Sequence, residues 1–299
     1  MYRYHKKGRY NVMEHQFDGL HELLSYLDTA PYADAWYRED KSSQEESNGE
    51  WHGTENFQQA YDLCKYGQFD NGFEKLHKLK IDIDRHIKEV QRPRRQFNDM
   101  VGYAPDVPSH LNGYPLDMFN HTTKLRKQVD IFFNCSQNSG TSSGQILNKG
   151  ATLLSTISIL EDMGIRTNLN FFELSKEKEG YQVFNAQINI KREDQPLDMR
   201  NAYFPICNPA FLRRIIFNLQ EKTPDKYESW TEGYGQAGEK ELVNEIIEPA
   251  ENAIVFNTAQ EMGVKGDSLI DDANSIFEFI NRNSGVKNLG IHFDEIGKQ

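Results

Sequence analysis

Residues Val129–Glu173 read VDIFFNCSQNSGTSSGQILNKGATLLSTISILEDMGIRTNLNFFE, and the spacing of apolar residues changes along this stretch. Val129–Phe133 is a nearly continuous apolar run, as expected of a strand covered on both faces. The loop that follows is polar and small, without periodicity. From Gln145 to Met163, residues Ile146, Leu147, Gly150, Leu153, Leu154, Ile157 and Leu160 recur at helical spacing. Gly164 suits the C-cap, and Ile165–Leu174 reads as a second strand. A strand, a helix and a strand in this order form a βαβ unit, whose right-handed crossover makes the two strands parallel.

Outward from this unit, YQVFNAQINIKRE (181–193) alternates, with Phe184, Ala186, Ile188 and Ile190 on one side. The pattern and the short turn before it predict an antiparallel edge strand. MRNAYFPICNPAFLRRIIFNLQEK (199–222) reads as a loop and then a helix beginning after Asn208, with Pro209 in its first turn. A glycine-rich loop and helix, a strand at Ala253–Phe256 and a helix capped by Asp267 or Ser268 complete this half. On the N-terminal side, Phe17, Leu20, Leu23, Leu24 and Leu27 share a helical face, as do Phe57, Ala60, Tyr61 and Cys64. Another helix is expected from about Asn71 to Val90. GYAPDVPSHLNGYPLDMFN (102–120) has too many prolines for regular structure and reads as an apolar linker lying over the core. The expected architecture is α/β: a three-layer open sheet, mostly parallel with an antiparallel edge strand, over residues 123–299. A helical region and a Pro/Gly-rich linker precede it over residues 1–122.

Composition narrows the function. The 299 residues carry a net charge of -11, which argues against a chain-wide basic surface for duplex nucleic acid. Cys64, Cys135 and Cys207 form no C-x-x-C pair and read as free thiols in a reducing compartment. The start lacks the apolar run of a signal peptide, and no stretch approaches the roughly 20 apolar residues of a membrane span. A soluble cytoplasmic protein without a membrane partner is expected.

Ligands in open α/β sheets bind outside the carboxyl ends of the parallel strands. Asn134, Ser136, Asn138, Ser139, Thr141, Glu173, Asn257 and Thr258 are expected at that edge, as a crevice for a partner. SGTSSG lacks the lysine of a phosphate-binding P-loop. Cys135 has no histidine near it in sequence, and the histidines show no metal spacing, so no catalytic residue is assigned. Two basic clusters, Arg3, Lys6, Lys7 and Arg9, then Arg92, Arg94 and Arg95, are either solvated segments or contacts for phosphates.

A strand followed by NCSQN, a helix, GIRTNL as second strand and an antiparallel third resembles the opening of the von Willebrand factor type A fold. That resemblance implies a cation site at Asn134, Ser136 and Asn138. Asn134 stands where the family has an aspartate, and Mg²⁺ usually takes at least one carboxylate. No metal and no cofactor are therefore expected. EWHGTENFQQAYDLCKYG, VPSHLNGYPLDM, NKGATLL and LEDMGIR are also similar to a family found in bacteriophage and actinobacterial genomes, over about Phe17–Glu173. Together the resemblances imply a non-enzymatic, phage-encoded adaptor or assembly factor in the cytoplasm of an infected host cell. Its partner would be a protein, such as an ATPase or a component of a phage complex. The alternative is a nucleic-acid-associated protein acting through the two basic clusters.

Overall fold

The computed structural model describes residues 2–33, 42–47, 49–67, 74, 77–78, 81, 96–100, 104–121, 128–138, 140–162, 164–176, 181–223, 240–250, 253–282, 286–287, 292–293 and 295–296. The chain opens with β1 (Tyr2–Lys7), β2 (Tyr10–Phe17), α1 (Leu20–Thr29) and α2 (Phe57–Tyr66). A small unit follows: β3 (Gln96–Asp99), β4 (Ala104–Pro105), α3 (Val107–Leu111) and β5 (Met118–His121). Then come β6 (Gln128–Asn134), α4 (Ser143–Asp162), β7 (Arg166–Lys176), β8 (Gln182–Lys191) and α5 (Met199–Cys207). A π-helical turn (Phe211–Ile216) runs into α6 (Phe217–Glu221), and α7 (Lys240–Ile247), β9 (Ile254–Phe256) and α8 (Leu269–Asn281) close the series.

The main sheet has the order β1-β2-β8-β7-β6-β9. β6 lies parallel to β7 and to β9, and β7 is antiparallel to β8, as the periodicity requires. β8 is not the edge strand, however. β2 pairs with it in parallel, from Asn11↔Gln182 to Phe17↔Ile188, and β1 folds back on β2 as a hairpin. The expected helical N-terminal region is therefore strand-rich, although α1 and α2 form where apolar spacing placed helices. YNVMEHQF sends Tyr10 and Val12 to one face of the sheet and Met13, His15 and Phe17 to the other, all buried. Gly8, at φ 55, makes the hairpin turn.

Met199–Cys207, expected as a loop, is helix α5. Asp198 caps it by accepting the backbone N–H groups of Arg200 and Asn201, which offsets the proline in its last turn. Gly164 has the positive φ expected of its capping role. Of the helix expected over Asn71–Val90, Glu74, His77, Lys78 and Ile81 are described and helical, and the rest lies outside the described residues. Among the described residues of 102–120, expected to lie over the core, none is a buried core residue. The described part of this segment belongs to the three-stranded sheet β3-β5-β4 and α3, where Leu111 is 79% and Tyr114 is 62% exposed.

One face of the main sheet presents Val129, Ile131, Phe133, Leu169, Phe171, Phe184, Ala186 and Ile188 to a large core. Leu153, Leu154 and Ile157 of α4 belong to that core, and so do Leu23, Leu24, Ala60 and Cys64 from the N-terminal helices. The other face is divided. Near the carboxyl ends of β6 and β7, Phe172, Leu174, Val183, Tyr10 and Val12 pack beneath Leu242, Val243 and Ile246 of α7. Further down, the same face carries half-buried amides: Asn189 donates to Asn168 and Asn170, and Asn168 donates to Asp130. RTNLNFFELS records this division, alternating in its first half and almost wholly buried in its second. Among the described residues, no helix is long and apolar enough to cross a membrane.

Two outcomes follow from this packing. Leu154 is fully buried, so Leu154→Ala should lower unfolding free energy by roughly 2–5 kcal/mol in urea titrations. His15 lies among the rings of Phe17, Tyr26 and Phe184, with Nε2 3.1 Å from the Thr223 hydroxyl. Burial lowers its pKa from 6.5 to about 3. Between these values the unfolded chain binds a proton that the folded chain does not, so stability falls as pH drops from 6.5 towards 3. Replacing His15 with Phe should flatten that part of the stability-pH curve measured by thermal unfolding.

Candidate functional site

The carboxyl ends of β6, β7 and β9 share one edge, because Asn134 pairs with Phe172 and Phe133 with Phe256. The segments after them therefore converge. Asn134, Ser136, Thr141, Glu173, Asn257 and Thr258 come together there, but all six are buried. Asn138 is exposed, and Ser139 lies outside the described residues. The crevice expected from the topology exists as a polar floor, and its exposed rim is formed by Asn138, Gly140, Ser142, Gln260 and Glu261.

Local chemistry explains the burial. The Asn134 carboxamide oxygen accepts the Ser136 N–H at 2.9 Å, the Asx turn this residue type favours. That turn aims the Ser136 hydroxyl at the Leu174 N–H, 3.3 Å away, while the Cys135 N–H and thiol both donate to the Phe172 carbonyl. The loop is thereby folded onto the end of β7. Gln260 donates to the Thr141 hydroxyl at 2.8 Å, which joins the loop to the segment after β9. On the far side, the Asp272 carboxylate accepts the N–H groups of Lys265 and Gly266 and the Asn148 amide, joining α8 to α4.

Two titratable groups lie beneath. Lys149 of α4 is fully buried, donates to the Asn134 carbonyl at 2.8 Å and sits 4.2 Å above the Phe133 ring. Burial lowers its pKa to about 7, against the pull of Cys135 and Glu261. Glu173 is also fully buried, and among the described residues neither carboxylate oxygen has a hydrogen-bond partner. Burial raises its pKa to about 8; Ser175 and Gln220 oppose the shift without reaching hydrogen-bond geometry. Cys135 lies between these groups, and burial together with the Glu173 charge pushes its thiol far up. That is the reverse of an activated nucleophile. Among the described residues, no three His, Cys, Asp or Glu side chains are grouped as metal ligands.

The roof is built by adjacent arginines in the π-helical turn. Arg214 is fully buried and donates to the carbonyls of Ser43, Glu45, Thr54 and Glu55 and to the Ser47 hydroxyl. Glu221 accepts the Ser43 N–H at 2.9 Å and its hydroxyl at 2.5 Å. Arg213 donates to the Trp51 and Thr141 carbonyls and lies 4.2 Å from the Trp51 ring. Between floor and roof is a pocket lined by residues including Phe133, Cys135, Gln137, Ile146, Lys149 and Arg213. The centres of water-sized groups have about 20 Å³ there, more than a single water requires.

The basic clusters do not form one patch within the described residues. Arg3 pairs with Glu14 at 2.5 Å, Lys7 with Glu248 at 2.9 Å, and Arg9 donates to the Tyr10 hydroxyl. Lys6 is exposed, and Arg92, Arg94 and Arg95 lie outside the described residues. Sequence reasoning missed Lys149, Arg213 and Arg214. A signal existed for each: Lys149 stands at i+3 from Ile146 and i−4 from Leu153 in the apolar stripe, and the arginines interrupt the run FLRRIIF.

A family model described as Domain of unknown function (DUF7192) matches residues 3–281. No curated protein and no solved structure matches the chain.

The buried acid gives a test of the floor. Glu173 keeps its proton in the folded chain up to about 8 but loses it near 4.5 when unfolded. Stability attributable to this group is full below 4.5 and falls as pH rises towards 8. Glu173→Gln should raise stability at pH 8.5 by roughly 4–5 kcal/mol and leave it nearly unchanged at pH 4. Urea unfolding at the two values measures the difference.

Proposed function

From the premise that the chain belongs to the family of the domain of unknown function DUF7192, we propose a non-enzymatic protein-binding role exercised by the exposed rim of the sheet edge. The observation that carries this reading is the closed floor. Asn134, Ser136, Glu173 and Lys149 are all buried, so the chain's own side chains fill the place where an α/β enzyme would receive its substrate. Loops held on a rigid scaffold are where binding surfaces usually reside. Here the rim is polar, and the hydrogen bonds donated by Gln260 and by the Leu174 N–H hold it to two strand ends.

We read the core as von Willebrand type A-like, on the succession of β6, polar loop, α4, parallel β7 and antiparallel β8. The divalent cation of that fold does not fit the residues present. Asn134 offers no negative charge, and its side-chain oxygen already accepts the Ser136 N–H. The Lys149 ammonium is hydrogen-bonded to the same residue. A cationic neighbour and a missing carboxylate both oppose Mg²⁺. On this reading the rim, without a metal, meets an adaptor's or assembly factor's protein partner.

Asn138→Arg and Gly140→Arg place bulky charge on the rim without filling the core. Each should abolish capture of the wild-type chain's partner from native cells while shifting the melting temperature by less than about 2 °C. Capture is compared with and without nuclease. Undiminished capture by both variants would sink the rim as the docking surface. Loss of the partner on nuclease treatment would favour nucleic acid instead.

A further inference from the structure

We propose that the pocket between Cys135, Lys149 and Arg213 binds a small monovalent anion of about formate size, independently of any partner on the rim. Two basic side chains line it and no carboxylate does. The rest of its wall is largely apolar, with Phe133, Ile146 and Leu212 among the lining residues, so a charge entering there is poorly screened by solvent. Lys149 has three ammonium protons, and among the described residues its hydrogen bond goes to one acceptor, the Asn134 carbonyl. It forms no ion pair with a described carboxylate within 4.0 Å. A fully buried ammonium without a counterion is unfavourable, and an anion in the adjoining pocket supplies one. The small volume sets the size class: an inorganic or one-carbon anion is admitted, and a sugar acid or nucleotide is not.

Binding and protonation are coupled, since the anion prefers the ammonium form. The charged or titratable groups around Lys149 are the Cys135 thiol from the β6 loop, Glu261 after β9, and Arg213 in the π-helical turn, with Glu173 of β7 acting on Cys135. Arg213 remains a cation up to about 10, so Lys149 governs the pH dependence. With its amine titrating near 7, apparent affinity should weaken about fiftyfold between pH 7 and pH 9.

The full chain, labelled with ¹⁵N-lysine, is titrated with sodium formate against sodium gluconate at equal ionic strength. The Lys149 ammonium resonance should shift saturably with formate and not with gluconate. The dissociation constant should rise about fiftyfold from pH 7 to pH 9. In thermal scans formate should raise the melting temperature of wild type, and Lys149→Met should lose that response. Equal shifts with both salts, no shift up to molar formate, a pH-independent constant, or an undiminished response in Lys149→Met would overturn the proposal. Should Lys149→Met fail to fold, the resonance titration of the wild-type chain decides alone.

Discussion

Buried cations directed at backbone carbonyls hold this structure together. Lys149 donates to Asn134, Arg213 to Trp51 and Thr141, Arg214 to four carbonyls between Ser43 and Glu55, and Lys191 to Thr167 and Arg192. A carbonyl in a loop has no ladder partner, and leaving it dry costs about as much as losing a hydrogen bond. A long basic side chain reaches across from a helix or strand and satisfies several at once. Segment 43–55 contains no strand and one short 3₁₀ turn, yet Arg214 and Glu221 fix it to the π-helical turn and α6. Without Arg214, those carbonyls would need water inside the core.

The same constraint shapes the sheet edge. Where strands end, three loops must bury their backbones together, and small polar side chains do this by capping one another. Asn134, Ser136 and Thr141 are therefore occupied structurally, which leaves the exposed rim for intermolecular contact. Their residue types suit a ligand site and a turn equally, and only burial separates the two roles.

Residues 129–191 were legible because each period there has one cause: β6 is nearly continuously apolar, α4 repeats at helical spacing and β8 alternates. The hairpin was not legible. YRYHKK carries no apolar residue but tyrosine, because β1 is the exposed edge strand and needs none. β2 mixes buried Glu14 and His15 into its run, and those polar residues hide a strand that is covered on both faces. Glu14 is tolerated because Arg3, Asn185 and Gln187 reach it from neighbouring strands, a long-range compensation invisible in a local window. The candidate site was legible by position and not by exposure. Topology placed Asn134, Glu173 and Asn257 at one edge, but the pocket beside Cys135 and Lys149 is walled by Phe211, Leu212 and Arg213 of the π-helical turn, which no periodicity marks. Lys149 was hidden by its type: a lysine in an apolar stripe reads as a solvated flank until its acceptor is known.

The pairing of β2 with β8 has a consequence for synthesis on the ribosome. Asn11 meets Gln182, so β2 cannot pair with β8 until the roughly 170 residues between them have been made. A lone two-stranded hairpin is marginally stable in water, and closing so long a loop is slow compared with local helix formation. β2 is thus made early relative to its partner and locked late. In the interval β8 presents an unpaired edge, and Tyr10 and Val12 have nothing to cover them. The nascent chain passes through a stage in which β2 competes with any neighbouring polypeptide for the same row of hydrogen bonds.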